Sequence, residues 1–345
     1  MVQMDHMPAV ARMCHKIGII DLINDSIPCN TDLDLGTLVV GMICDTLSGR
    51  SPLYKVEEFI ATIDTELLLG MKVNPHSFND DALGNALDRI HEKGTHKLFT
   101  EISLQAAQTF KLNLTSCNFD TTSVNVWGDY EQSEPNKKAP HITYGYSKDK
   151  RPDLKQFMVS MLCVEGNIPI SGKMQNGNSS DDKLNNEELQ GIAKMLKPLR
   201  NNIQDLIYVA DCKLINAGNM KLLDQLKFIS RFPANFKQHD EVISQAIDAD
   251  QWQEIGTLAE TPSNSKKRPR AHYESHETAV TIENTDYRAV VIQTDQLDKR
   301  RTKGIQRRHA KAKIQLNKQL KATSKTIYHC PDDAATALKT ITETK

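Results

Sequence analysis

Apolar residues along the first third of the chain recur at helical spacing. Leu35, Leu38, Val39, Met42 and Ile43 make one stripe of a helix. A second helix is predicted after Asn79, a residue suited to an N-cap. It carries Leu83, Ala86, Leu87 and Ile90 on one side and stops at Gly94. A third covers His96 to Phe110. Short helices with Gly and Pro breaks suit a helix-turn-helix reader of duplex DNA or a plain bundle for protein contact.

From Leu112 the period shortens to that of strands. "LTSCNFDTTSVNVWG" is rich in Thr, Ser and Val and predicts a first strand. "HITYGYS" predicts a second, and "QFMVSMLCVEGNIPISGKM" a hairpin turning at Glu165-Gly166-Asn167. A helix follows over Asn185 to Leu199, with Leu189, Ile192, Ala193, Leu196 and Leu199 on one face. "LIYVAD" has the continuous apolar character of a buried parallel strand. A helix over Ala217 to Leu226 and the strand "KFISRF" complete the run. With the hairpin counted as one unit, the middle of the chain follows β-β-β-α-β-α-β, a mixed sheet with helical crossovers and the order of a ribonuclease-H-like core. In that order the first strand lies beside the fourth. Beyond Pro233, "TPSNSKKRPR" (261–270) predicts a linker or loop, "DYRAVVIQT" a strand, and Gln296 to Lys325 a long basic helix with Ile305, Ala312, Leu316 and Leu320 along one side.

Charge changes the picture more than composition does. The 345 residues carry a net charge of only −1. Yet residues 1–110 hold 8 Lys plus Arg against 15 Asp plus Glu, and residues 264–325 hold 16 against 6. Such an asymmetry hints at nucleic-acid contact by the basic part, though a charge run alone is more often a solvated, partly helical surface; the acidic first third argues against a duplex-binding role there. Seven cysteines with no CxxC pair suit reduced thiols in a cytosolic protein. No signal peptide heads the chain, and no apolar run reaches the roughly 20 residues of a membrane span.

One residue conflicts with its surroundings. Asp120 sits in the middle of the first strand, a place where Asp is depleted. Alone, such an Asp is more often a turn cap. The predicted topology, however, sets it beside Asp211 at the end of the fourth strand, 91 residues on. Two carboxylates at adjacent strands suit Mg²⁺ (or Mn²⁺), which takes oxygen ligands and leaves room for phosphate and water. Two-metal phosphodiester chemistry calls for a third carboxylate. Glu187 and Glu188 come too early in the topology, and Glu254, Glu260, Glu274, Glu277 and Glu283 are scattered, so none is assigned.

The strings "NFDTTSVNVWGDYE", "ITYGYSKDKRPDLKQ", "GKMQNGNSSD" and "LIYVADCKL" resemble the DDE transposases of bacterial insertion sequences, more narrowly the insertion-sequence-four group. The resemblance runs from about residue 2 to the C-terminus. It implies a helical N-terminal domain over 1–110, a catalytic core with its first five strands over 111–235, a basic inserted domain over 236–330, and the start of a return to the core over 331–345. It implies Asp120 and Asp211 as the first two catalytic acids and metal ligands, and Mg²⁺-dependent DNA cleavage and strand transfer. It further implies DNA partners (element terminal repeats and target), a homodimer in a synaptic complex, and a bacterial cytoplasmic setting. Cys212 stands where the family more often has Ser or Gly. The family's catalytic Glu, in a Tyr-Arg-Glu-Lys type motif, has no counterpart in residues 331–345, so the expectation is a core incomplete at its C-terminus and a chain inactive by itself.

Lys148, Lys150, Arg151 and Lys155 cluster between strands and either grip phosphates or form an exposed turn shaped by Pro152. Asn176, Asn178 and Asp181 either position DNA or cap the turn and next helix. Trp127 is expected in the core. A non-catalytic DNA- or partner-binding remnant of a transposase is the competing reading. A free-standing nuclease explains neither the helical N-terminal region nor the basic stretch.

Overall fold

The computed structural model describes residues 4–130, 139–196, 205–223, 226–258, 271–326 and 329–343. The predictions over 261–270, at Glu260 and at Leu199 lie outside them. Contacts divide the chain into two units, Met1–Pro233 and Ala234–Lys345.

The first unit begins with helices α1 (Met7–Ile17), α2 (Ile19–Ser26), α3 (Leu35–Ser48), α4 (Val56–Ile60), α5 (Thr65–Leu69), α6 (Asp80–Lys93) and α7 (Thr95–Phe110). Their starts are chemically marked. Asp34 accepts the Thr37 N–H ahead of α3, and Asn79 accepts the Ala82 N–H ahead of α6, each satisfying a donor that the helix leaves unpaired. The apolar faces meet in one core that includes Ile23, Leu35, Val40, Cys44, Ile60, Leu68, Phe78 and Leu83. Helix α3 lies at its centre and is buried on more sides than the predicted stripe, since Val40 and Cys44 are both fully inaccessible. Leu87 of α6, expected inside, is mostly outside.

A five-stranded sheet follows. Its strands are β1 (Ser116–Val126), β2 (Lys155–Val164), β3 (Ile168–Gln175), β4 (Ile207–Ala210) and β5 (Lys227–Ser230), with α8 (Asp181–Leu196) between β3 and β4 and α9 (Ala217–Leu223) between β4 and β5. The spatial order is β3-β2-β1-β4-β5. β1 runs antiparallel to β2 and parallel to β4, and β4 runs parallel to β5. This is the mixed sheet with helical crossovers that the sequence pattern implied, preceded by the expected helical region. "HITYGYS" is a correction: it forms no strand, only a bridge from Thr143 to Gln156 at the start of β2. Its backbone is diverted into a loop by a glycine crossing, described below.

Side chains along β1 alternate strictly. Cys117, Phe119, Thr121 and Ser123 are buried, while Asn118, Asp120, Thr122 and Val124 are exposed. Helix α8 covers the buried face, where Tyr208 donates to Asn185 and Lys173 pairs with Glu188 at 3.3 Å. On the opposite face α7 covers β3: Phe99 lies against Gly172, and the His96 ring meets the Gly172 carbonyl at 2.9 Å. Over β1 and β5 that face is open among the described residues of the first unit, where Asn118, Asp120 and Ile229 are exposed. Trp127, just past β1, is 71% exposed rather than in the core, because the strand has by then run beyond β4 and its covering layer.

The second unit contains α10 (Lys237–Ala249), strands β6 (Gln253–Gly256), β7 (Tyr273–Ile282) and β8 (Thr285–Thr294), and helices α11 (Asp295–Thr323) and α12 (Pro331–Glu343). The three strands form an antiparallel sheet in the order β6-β7-β8. No described helix is long and apolar enough to cross a membrane.

Candidate functional site

β1 and β4 run parallel up to two residues short of two carboxylates, Asp120 and Asp211. Their parallel pairing runs Ser116–Ile207, Cys117–Tyr208, Asn118–Val209. Asp211 continues β4 with extended backbone (φ −70°, ψ −179°). Two rungs beyond the last pair, the register therefore sets Asp120 opposite Asp211, and the two-residue alternation puts both side chains on the open face. Neighbouring strands lie about 4.8 Å apart, so the two carboxylates can share one small cation. The Thr121 N–H donates to Asp120 Oδ1 at 2.7 Å, and the Lys213 N–H donates to Asp211 Oδ1 at 3.0 Å. The Ser230 hydroxyl of β5 donates to the Asp211 carbonyl at 2.8 Å, which ties the end of β4 to its other neighbour. Each carboxylate keeps its Oδ2 without a partner among the described residues. The donor set fits a hard divalent cation: oxygen atoms only, exposed, with free lone pairs.

A cation of the protein stands beside Asp120. Lys148 Nζ lies 4.0 Å from Asp120 Oδ1. It also donates to the Thr121 carbonyl and, at 3.0 Å, to Thr121 Oγ1, whose hydroxyl in turn donates to Asp181 Oδ1 at the start of α8. The loop that brings Lys148 here is held at several points. Its own N–H donates to Ser123 Oγ at 3.2 Å, and Asn125 donates to Asp149 at 2.9 Å.

At the base of that loop two backbones touch. A Cβ on Gly145 would stand 2.0 Å from the Gly177 carbonyl, and a Cβ on Gly177 would stand 2.0 Å from the Gln156 carbonyl and 2.6 Å from that of Thr143. Gln156, 1% exposed, closes the crossing by donating its amide to the Gly177 carbonyl at 2.7 Å and to that of Tyr146 at 3.3 Å. Two strings read separately in the sequence, "TYGYS" and "QNGNS", are thus one piece of structure. No periodicity could have revealed this, because the contact joins residues 32 apart through backbone alone.

The remaining predicted residues separate. Arg151 is engaged by Asp153 in a two-pronged pair (2.9 and 2.6 Å), which lowers the Asp153 carboxyl's pKa and raises the guanidinium's. Lys155 donates to the Asp129 carbonyl. Lys150 is exposed with left-handed backbone (φ 60°). Asn176 accepts the His141 N–H at 2.7 Å, which ties the turn after β3 to the loop before β2, and Asn178 is exposed. Among the glutamates, Glu188 is buried against Lys173 on the other face of the sheet. Glu254, Glu274 and Glu277 belong to the second unit, where they meet His272, Gln293 and Arg288. No group of three or more His, Cys, Asp or Glu suited to a metal occurs among the described residues.

Residues 1–104 match a family model described as a domain of unknown function, DUF4277. No curated protein matches the sequence. Among solved structures, the chain aligns with a Mos1 transposase paired-end complex with the left transposon end at 13% identity, covering 69% of each chain with a TM-score of 0.24. A Mos1 mariner paired-end complex with Mn aligns at 12% identity over 77% of this chain and 87% of that one, with the same TM-score. Superpositions this loose carry no weight for the function.

Proposed function

We propose that the protein is a transposase of a bacterial insertion sequence, with Asp120 and Asp211 as two of the metal-holding acids for cutting and joining DNA strands and the third acid unassigned. One observation supports the reading: the parallel β1–β4 pairing ends at Asn118–Val209, two residues before an exposed carboxylate on each strand, Asp120 and Asp211. Burial is costly for an unpaired charge, and exposure with a free oxygen on each group is what a ligand pair needs. Mg²⁺ or Mn²⁺ bound there supplies charge for an attacking water and a leaving oxygen at a phosphodiester. The chain's own part is to hold the two carboxylates through the Thr121 and Lys213 amides, and to bring basic side chains to the strand's phosphates. DNA is the proposed partner, with α11 as the main phosphate-binding element. It carries ten Lys and Arg against two Asp. A catalytic core over 111–235 and a basic inserted domain over 236–330 are part of the same proposal, as is a dimer on paired element ends.

The test is nicking of an oligonucleotide carrying the element's terminal repeat with Mn²⁺ present. Nicking abolished by Asp120→Ala and by Asp211→Ala supports the enzyme reading and shows that a third acid is present among the unassigned glutamates. Binding of the repeat without nicking, at any concentration of metal, supports the alternative of a DNA-binding remnant.

A further inference from the structure

Of the basic residues Lys148, Lys150, Arg151 and Lys155, only Lys148 is paired with Asp120 among the described residues. Arg151 is neutralised by Asp153, Lys155 is tied to the Asp129 carbonyl, and Lys150 is turned out by its left-handed backbone. Among the described residues Lys148 alone is fixed at 4.0 Å from Asp120, by hydrogen bonds from its side chain to Thr121 and from its backbone to Ser123. The Gly145–Gly177 crossing and the buried Gln156 amide fix the loop from which it reaches.

A fixed ammonium at that distance has two opposite effects. It repels a divalent cation bound by Asp120, and it attracts a phosphate placed over the same cation. Resting on the metal site proposed above, we propose that Lys148 is a positioning residue that couples the two ligands: it weakens metal binding to the free protein and relieves that penalty once a DNA phosphate lies against it. Metal and DNA then bind cooperatively, and the coupling is reciprocal by linkage. The protein thereby disfavours a loaded metal centre without its substrate.

The experiment measures Mn²⁺ affinity of the full chain by the loss of the free-ion electron-spin signal, with and without a duplex oligonucleotide, for the wild type, Lys148→Met, Lys148→Arg and Asp120→Ala. A unit charge about 5 Å from a divalent ion in an exposed setting changes affinity by about tenfold after screening. Lys148→Met is expected to bind Mn²⁺ about tenfold more tightly than wild type without DNA, to lose most of the gain that DNA produces, and to lower the salt slope of DNA binding by about one. Lys148→Arg should behave as wild type. A merely structural role predicts the reverse, because a disordered site binds metal less well. Unchanged or weaker Mn²⁺ binding in Lys148→Met, while Asp120→Ala abolishes binding, overturns this inference alone. Mn²⁺ binding indifferent to Asp120→Ala overturns the metal site and the inference together.

Discussion

At the scale of single residues, His96 shows how a polar group becomes part of the packing. Burial is the main cause that lowers the imidazole's pKa below 6.5, with Lys173 adding to it and the Gly172 hydrogen bond and Glu188 opposing it. A lowered folded-state pKa means that the unfolded chain holds more protons on this ring. The stabilisation is therefore fully present above about pH 6.5 and is lost as pH falls through the folded value. Melting temperature followed between pH 7.5 and 5 should fall less steeply in His96→Gln, which retains a donor for Gly172, than in the wild type. An unaltered slope would mean that α7 docks on β3 without regard to this ring's charge. Nothing in the sequence marked His96, since its partner is a backbone carbonyl on an element 76 positions away. Asp120 was legible for the opposite reason: a carboxylate in a run of Thr, Ser and Val breaks the local rule, and the rule-breaking is visible without coordinates. Cysteines add a second residue-level expectation. The Cys44 thiol is pushed up to about 11 by burial, and Cys14 is raised by the same cause, whereas Cys330 is exposed. A maleimide at neutral pH should label Cys330 well before either of the buried pair, as read by peptide mass mapping.

At the scale of elements, regular segments with an apolar period were the readable ones. The helices α3, α6 and α7, the β2–β3 hairpin and the short parallel strands β4 and β5 all follow from period, caps and turn residues. What the sequence concealed depends on contacts of another kind. "HITYGYS" has strand-forming residues, but Gly145 must cross Gly177 at backbone contact distance, and that crossing pulls the segment off the sheet. β7 was missed because its alternation is not apolar. It is held to β8 by Glu277 against Arg288 and Glu274 against Gln293, around a two-residue turn in which Glu283 and Asn284 both take positive φ. The glycine crossing makes a sharp prediction. In Gly177→Ala the new methyl meets two carbonyls, neither of which can swing aside as a side chain would, so overpacking should cost roughly 1–3 kcal/mol or expel the loop. Limited trypsin digestion should then cut after Lys148 or Lys150 faster than in wild type. Equal cutting rates together with an unchanged melting temperature would show that the crossing is not tight in solution.

At the scale of the molecule, charge is divided along the chain rather than spread over it. The acidic first third forms a bundle with its own apolar core, and the basic residues concentrate in the second unit's α11. The average net charge of −1 hides this entirely. Replacing Arg307, Arg308 and Lys311 with Gln should weaken duplex binding uniformly across sequences and lower the salt slope by about two to three, because each neutralised phosphate releases counterions. Filter binding at several salt concentrations reads both. A slope unchanged by the triple substitution would move phosphate binding away from α11 to another surface.

The length of α11 has a geometric consequence. Twenty-nine residues of helix extend about 44 Å, which along a duplex corresponds to about 13 base pairs. The helix is a measuring rod as well as a charge carrier. With ten cations along it, the number of counterions it can expel has a ceiling near ten, and the stretch of backbone it can shield from a hydroxyl radical has a ceiling near one and a third turns. A protected footprint much longer than that on one bound molecule would have to be drawn by some other part of the chain.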